Sequence, residues 1–197
     1  MPIRIYFLAG ILFLLPGFTP AKAVLNPTEQ VRETVDNILA ILRDKSLDWH
    51  SRQRNIEAII DARFDFQSMS QSVLAKHWKK ATPMERQQFV EFFSQYLDHV
   101  YITKMEKYTD EYVKYGAEKV NGDRATVDTF IVTKTVDIPV TYKLKRNSDE
   151  WYAYDVVIEN VSLVNNYRSV YSAIIQTDGM GGLLDNLEQT NQQFGRQ

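Results

Sequence analysis

Between Pro27 and Lys45 the apolar residues Val31, Val35, Ile38, Leu39 and Leu42 recur at spacings of three and four, the stripe of an amphipathic helix. Asn26 ahead of Pro27 suits an N-cap followed by a first-turn proline. A second helix is marked by Ile56, Ile59 and Ile60, and a third by Phe66, Met69, Val73 and Leu74, running to Trp78. Thr82-Pro83-Met84-Glu85 then carries the signature of a reciprocal cap, Thr82 accepting from the Glu85 backbone while the Glu85 carboxylate reaches back. From there Phe89, Phe92, Phe93, Tyr96, Leu97, Val100, Tyr101, Met105 and Tyr108 keep helical spacing. That helix would have about 26 residues and span about 39 Å.

After Thr109 the period falls from 3.6 to 2, and β-branched and aromatic residues alternate with polar ones in four runs. Tyr112 to Val120 leads into Asn121-Gly122, a tight hairpin signal, and Arg124 to Thr135 returns with Val127, Phe130, Ile131 and Val132. In Ile138 to Lys145, Val140, Tyr142 and Leu144 face one way and Thr141, Lys143 and Lys145 the other. Asn147-Ser148-Asp149 makes the next turn and Trp151 to Ile158 the fourth strand. Val164, Tyr167, Tyr171, Ile174 and Ile175 restore helical spacing, Gly179 to Gly182 interrupts it, and Leu183, Leu184 and Leu187 mark a short last helix before a polar tail, Gln189 to Gln197, that is expected to fray. Helices first and a meander afterwards predict an α+β domain: helices on one face of a curved, mainly antiparallel sheet of four to five strands.

The first 23 residues stand apart from this pattern. Arg4 precedes an almost wholly apolar run, Ile5 to Phe18, and Ala21-Lys22-Ala23 supplies a small-x-small cleavage site, the order of a secretory signal peptide. The run is too short for a membrane span and Pro16-Gly17 interrupts it. Cleavage would leave one domain, residues 24–197, exported and soluble.

Composition narrows the chemistry. There is no cysteine among 197 residues, and only three histidines, so thiolate catalysis, disulfides and Cys-based zinc sites are excluded. His50, His77 and His99 lie 27 and 22 positions apart, which is not the i, i+4 spacing that offers a metal two imidazoles from one helix. No metal site and no catalytic constellation is expected, since no nucleophile elbow, P-loop or dinucleotide fingerprint occurs either. The 23 basic and 25 acidic side chains give a net charge of −2, without the basic excess of nucleic-acid binders. Asp155, within an apolar strand, would suit the base of a small isomerase if it faced a pocket, or an outward-facing surface residue if it did not.

Several segments bear a resemblance to a known family: Phe64-Asp65-Phe66, Leu74 with Trp78-Lys79, Phe89 with Phe93, Trp151-Tyr152-Ala153-Tyr154-Asp155-Val156, and Val161-Ser162-Leu163-Val164-Asn165-Asn166-Tyr167-Arg168. In the same order over nearly all of residues 24–197, they resemble the Mla-type periplasmic phospholipid-binding proteins, the MlaC or toluene-tolerance family. Two departures are Asn160, where glycine is expected, and Tyr171, where phenylalanine is usual. The resemblance implies an NTF2-like fold around a deep apolar cavity and a non-enzymatic carrier with phospholipid as cargo rather than a cofactor. It also implies exchange with an outer-membrane lipoprotein complex and an inner-membrane ABC transporter bearing an MCE-domain protein. A related branch carries hopanoids, and the motifs do not separate the two.

A carrier has a simple physical reason. Two acyl chains hold about 30 methylenes, and at about 0.8 kcal/mol each their exposure to water costs on the order of 25 kcal/mol. The cavity must be apolar and free of buried unpaired charge. The expected lining is Leu74, Trp78, Phe93, Tyr96, Leu97, Val100, Tyr101, Phe130, Val140, Tyr142, Val156, Ile158, Leu163 and Tyr167. For the headgroup the candidates are Arg86 and Arg168, with the hydroxyls of Tyr101 and Tyr142. A shuttling carrier would most simply be a monomer.

Overall fold

The computed structural model describes residues 26–106 and 110–194, so the signal-peptide expectation for residues 1–23, and Tyr108 on the long helix, lie outside it. Helix α1 runs Pro27–Arg43 and is capped by Asn26, whose side chain accepts from the Glu29 N–H at 2.8 Å. Helix α2, Trp49–Arg63, and helix α3, Phe66–Leu74, begin in the same way at Asp48 and Asp65. The Asp65 N–H donates to the Ala153 carbonyl at 2.8 Å, tying the start of α3 to the sheet.

The third helix is shorter than its stripe of apolar residues. Ala75 takes a φ of 47°, which ends α3, and a 3-10 turn, Ala75–His77, carries the chain to Trp78. Thr82 opens helix α4, Pro83–Met105, with both halves of the predicted reciprocal cap formed.

The sheet is an antiparallel meander in the order β1-β2-β3-β4-β5. Its strands are Tyr112–Asn121, Arg124–Val132, Asp137–Asn147, Glu150–Ile158 and Val161–Ser162. Gly122 at the first hairpin has a φ of 60°, as its turn requires. The turn between β4 and β5 places Glu159 and Asn160 at φ values of 49° and 67°, so asparagine occupies the left-handed position where glycine was expected, and tolerates it.

Helix α5, Leu163–Phe194, is one element bent at Gly179, whose φ of 75° and ψ of −178° no helix contains. Gly181 and Gly182 are helical, so the interruption is one residue wide. The tail does not fray from Gln189. Asn191 donates to the Phe92 carbonyl at 2.9 Å, and Phe194 stacks on His99 at 5.4 Å between ring centroids.

The main core lies between the sheet and α3, α4 and α5, where Phe89, Phe93, Tyr167 and Tyr171 pack edge to face. A second core joins α1 to β2, β3 and β4, and a third, small one joins α1, α2 and α4 through Leu42, Ile56 and Ile102.

Candidate lipid cavity

The alternation of β3 carries Val140, Tyr142 and Leu144 to the helical side of the sheet. On β2 the inward residues are Ala125, Val127 and Thr129, continued by Ile131 at the cavity wall. Phe130 therefore faces the other side, 39% exposed, which corrects its place in the expected lining.

Strand β4 does not keep one alternation. Lys143 pairs with Asp155 but Leu144 with Ala153, leaving Tyr154 as the extra residue of a bulge. The bulge inverts the parity of the strand. Trp151 and Ala153 point inward before it, and Val156 and Ile158 after it.

Between this surface and helices α2, α3 and α4 lies a cavity of about 160 Å³. It is lined by Ile60, Phe64, Phe66, Met69, Leu97, Asp98, Tyr101, Ile102, Met105, Ile131, Val140, Tyr142, Val156, Ile158 and Leu163. Seven of the expected residues are brought together here: Leu97, Tyr101, Val140, Tyr142, Val156, Ile158 and Leu163. Leu74, Phe93 and Tyr167 are packed solid in the main core beside it. Trp78 is buried under the Arg86 guanidinium, Tyr96 packs against Tyr167 and Phe194, and Val100 is half-buried outside the cavity wall.

Eight wall residues lie outside the expected lining: Ile60, Phe64 and Phe66 from α2 and its exit, together with Met69, Asp98, Ile102, Met105 and, on β2, Ile131. Spacing names the apolar ones without saying which helix closes over the sheet. Phe64 and Tyr142 also line a smaller space of about 30 Å³ under α1 and so stand as a partition between the two.

The polar groups of the wall are few. Burial pushes the Tyr142 phenol up to about 12, and burial likewise raises Tyr101, so both are neutral donors. Tyr167, whose phenol burial also raises, is held in a side-chain hydrogen bond with Tyr101. Asp98 is the sole charged residue type in the wall, and burial, with the nearby Asp61 and Glu57, pushes its carboxyl up to about 7.

Neither candidate arginine reaches the cavity wall. The Arg86 Nε donates to the Trp78 carbonyl at 2.8 Å and Nη2 to the Lys79 carbonyl at 3.3 Å, stapling the segment ahead of α4. The Arg168 Nε donates to the Ser72 carbonyl at 2.9 Å, pinning α5 to α3.

Asp155 is 3% exposed, which corrects the outward-facing reading, and it does not line the cavity. It accepts from Lys143 Nζ at 2.9 Å, Ser162 Oγ at 2.7 Å and the Val164 N–H at 3.1 Å. From β4, Asp155 thereby clamps β3, β5 and the first turn of α5. Among the described residues no cluster of three His, Asp or Glu side chains is arranged to hold a metal.

The sheet and helices thus enclose a space walled almost wholly by hydrocarbon, with two phenols and one carboxyl as its polar side chains. The family model described as MlaC protein matches residues 32–189. The chain belongs to the MlaC family. The toluene tolerance protein ttg2D of Pseudomonas putida is 24% identical over 178 residues, which is 86% of this chain and 83% of that protein. The intermembrane phospholipid transport system binding protein MlaC of Haemophilus influenzae is 21% identical over 127 residues, covering 61% and 59% of the two chains. Among solved structures, the phospholipid-binding protein of Ralstonia solanacearum in complex with a phospholipid has the same fold. Its TM-score is 0.79 at 21% identity, over 87% of this chain and 99% of that one. Among the described residues no helix is long and apolar enough to cross a membrane.

Proposed function

We propose that this MlaC-family protein is a soluble periplasmic carrier that holds phospholipid acyl chains in the cavity and moves the lipid between outer-membrane and inner-membrane complexes, maintaining outer-membrane lipid asymmetry. Residues 1–23 direct export and are removed. The observation that carries this reading is the apolar cavity between the sheet and α2, α3 and α4, in a fold shared with a protein that was crystallised holding a phospholipid. Transfer from a bilayer into such a wall is close to neutral in free energy, because hydrocarbon is exchanged for hydrocarbon. Exchange can then be directed by docking, on one side to an outer-membrane lipoprotein complex and on the other to an ABC transporter with an MCE-domain protein. No covalent step is needed, and Asp155, whose oxygens are taken by three donors, is a structural group here.

The test is native mass spectrometry of the mature protein from its periplasm, followed by organic extraction. One diacyl phospholipid per protein monomer is the expected result. Hopanoid in its place assigns the cargo of the sister branch. A ligand-free mass that stays unchanged after incubation with phospholipid vesicles overturns the carrier reading.

A further inference from the structure

The wall of the cavity contains one group that does not suit hydrocarbon. Asp98, on α4 between Leu97 and the Tyr101 turn, contributes the single carboxyl among fifteen lining residues. Among the described residues no hydrogen bond or ion pair reaches it; its surroundings act on it only through burial and through other acids.

Among the described residues no cation acts on it. Helix α2 presents Glu57 and Asp61, one turn apart, and both raise the Asp98 carboxyl. Asp61 is itself raised by burial and by Glu57. The bases of α2 are engaged elsewhere: Arg52 Nη1 on the Leu42 carbonyl, Arg54 Nη2 on Ser51 Oγ, and Arg63 Nη1 on Glu150. His50, also on α2, acts on Asp48 at that helix's N-cap. On α4, His99 stacks on Phe194 and Lys104 lies over the Tyr101 ring. From the rest of the wall only the neutral phenols of Tyr101 and Tyr142 share the space.

We propose that lipid loading is coupled to the uptake of one proton by Asp98, so that the cavity takes acyl chains with Asp98 as the neutral acid and gives them up when it becomes a carboxylate. The proposal rests on the carrier reading above. Its logic is linkage: acyl chains filling the space displace water from the carboxyl, which penalises the charged form further, so the loaded protein binds its proton more tightly than the empty one. Burial, Asp61 and Glu57 push the Asp98 carboxyl up to about 7, whereas an ordinary aspartate is charged throughout the neutral range. Above that point the carboxylate repels Glu57 and Asp61 across the seam between α2 and α4, which loosens the helix that closes the cavity.

The experiment equilibrates lipid-free protein with phosphatidylcholine vesicles, whose headgroup stays zwitterionic between pH 5.5 and 8.5, and measures the lipid carried by the protein after separation. The apparent binding constant of the wild-type protein is expected to fall by up to about tenfold per pH unit above about 7, the slope of a single linked proton. In Asp98→Asn it is expected to be flat and at least as strong as the wild type at low pH. Glu57→Gln with Asp61→Asn is expected to move the wild-type midpoint downward in pH, because both acids raise the Asp98 carboxyl, and covers the case in which Asp98→Asn does not fold; an unmoved midpoint overturns the proposal. A thermal-denaturation series without lipid gives an independent reading. The raised carboxyl makes the folded state the better proton binder between the ordinary aspartate range and about 7, so wild-type stability falls as pH rises through that window, and Asp98→Asn removes the fall. Equal pH profiles for wild type and Asp98→Asn overturn the proposal while leaving the carrier reading standing. Failure of every variant to take lipid at any pH overturns both.

Discussion

Tyr171 places a hydroxyl where the family resemblance leads to the expectation of a bare ring. Its oxygen is buried without a hydrogen-bond partner, and burial raises the phenol, while the ring packs edge to face on Phe89 and Phe93. A buried hydroxyl left unpaired costs about 1–3 kcal/mol, and removing it restores the apolar surface without opening a void. Tyr171→Phe is therefore expected to stabilise the fold by about 1 kcal/mol, read as a higher urea midpoint at unchanged slope. The same accounting explains why Asp155, equally buried, is not a liability: three donors meet it, one from each element it joins.

At the scale of elements, the bend in α5 decides how the last third of the chain covers the molecule. Val164, Tyr167 and Tyr171 precede it and Leu183, Leu184 and Leu187 follow it, and all six are buried in one core. A straight helix would carry the second set along the first axis, away from α4. Gly179 takes a φ of 75° to redirect it, in open space where a Cβ would meet nothing, so the obstacle to another residue is backbone strain alone. Gly179→Ala is expected to cost about 1–2 kcal/mol, measured by chemical denaturation, with the helical circular dichroism retained. Helix α2 is held more lightly. Ile56 is its one fully buried residue, and it reaches the rest of the molecule through the small core shared with Leu42 and Ile102.

For the whole molecule, size is the governing quantity. A cavity of about 160 Å³ is close to the volume that accepts one benzene, and the about 30 methylenes of two acyl chains need several times as much. Loading as proposed therefore requires the wall to part, and α2, the helix over the cavity with the fewest buried residues, is the one that can move at least cost. Phe64 and Tyr142, which separate the main space from the smaller one under α1, are the side chains whose rotation would lengthen it. Filling the space from the wall competes with cargo. Ile158→Trp is expected to keep the fold and to reduce lipid recovered with the protein at least tenfold, read by extraction and quantitation per mole of protein. Much of this architecture was legible from spacing alone, because a period of 3.6 or 2 is a local property: the helix starts at Asn26 and Thr82, the Asn121-Gly122 hairpin, the inward face of β3 and the α+β class all follow from neighbouring residues. The positions that misled were those where distant parts of the chain decide. Phe130 turned outward because β3 fixes which side of β2 is inside, whereas Val156 and Ile158 do line the cavity as expected, through a bulge at Tyr154 that spacing does not show. Tyr167 and Phe93 became solid core, and Asp98 became a wall residue, because the crossing of α2 and α4 determines where space is left over. Apolar character is written residue by residue, but an empty volume belongs to no residue, and only the packed helices and sheet could decide where it lies.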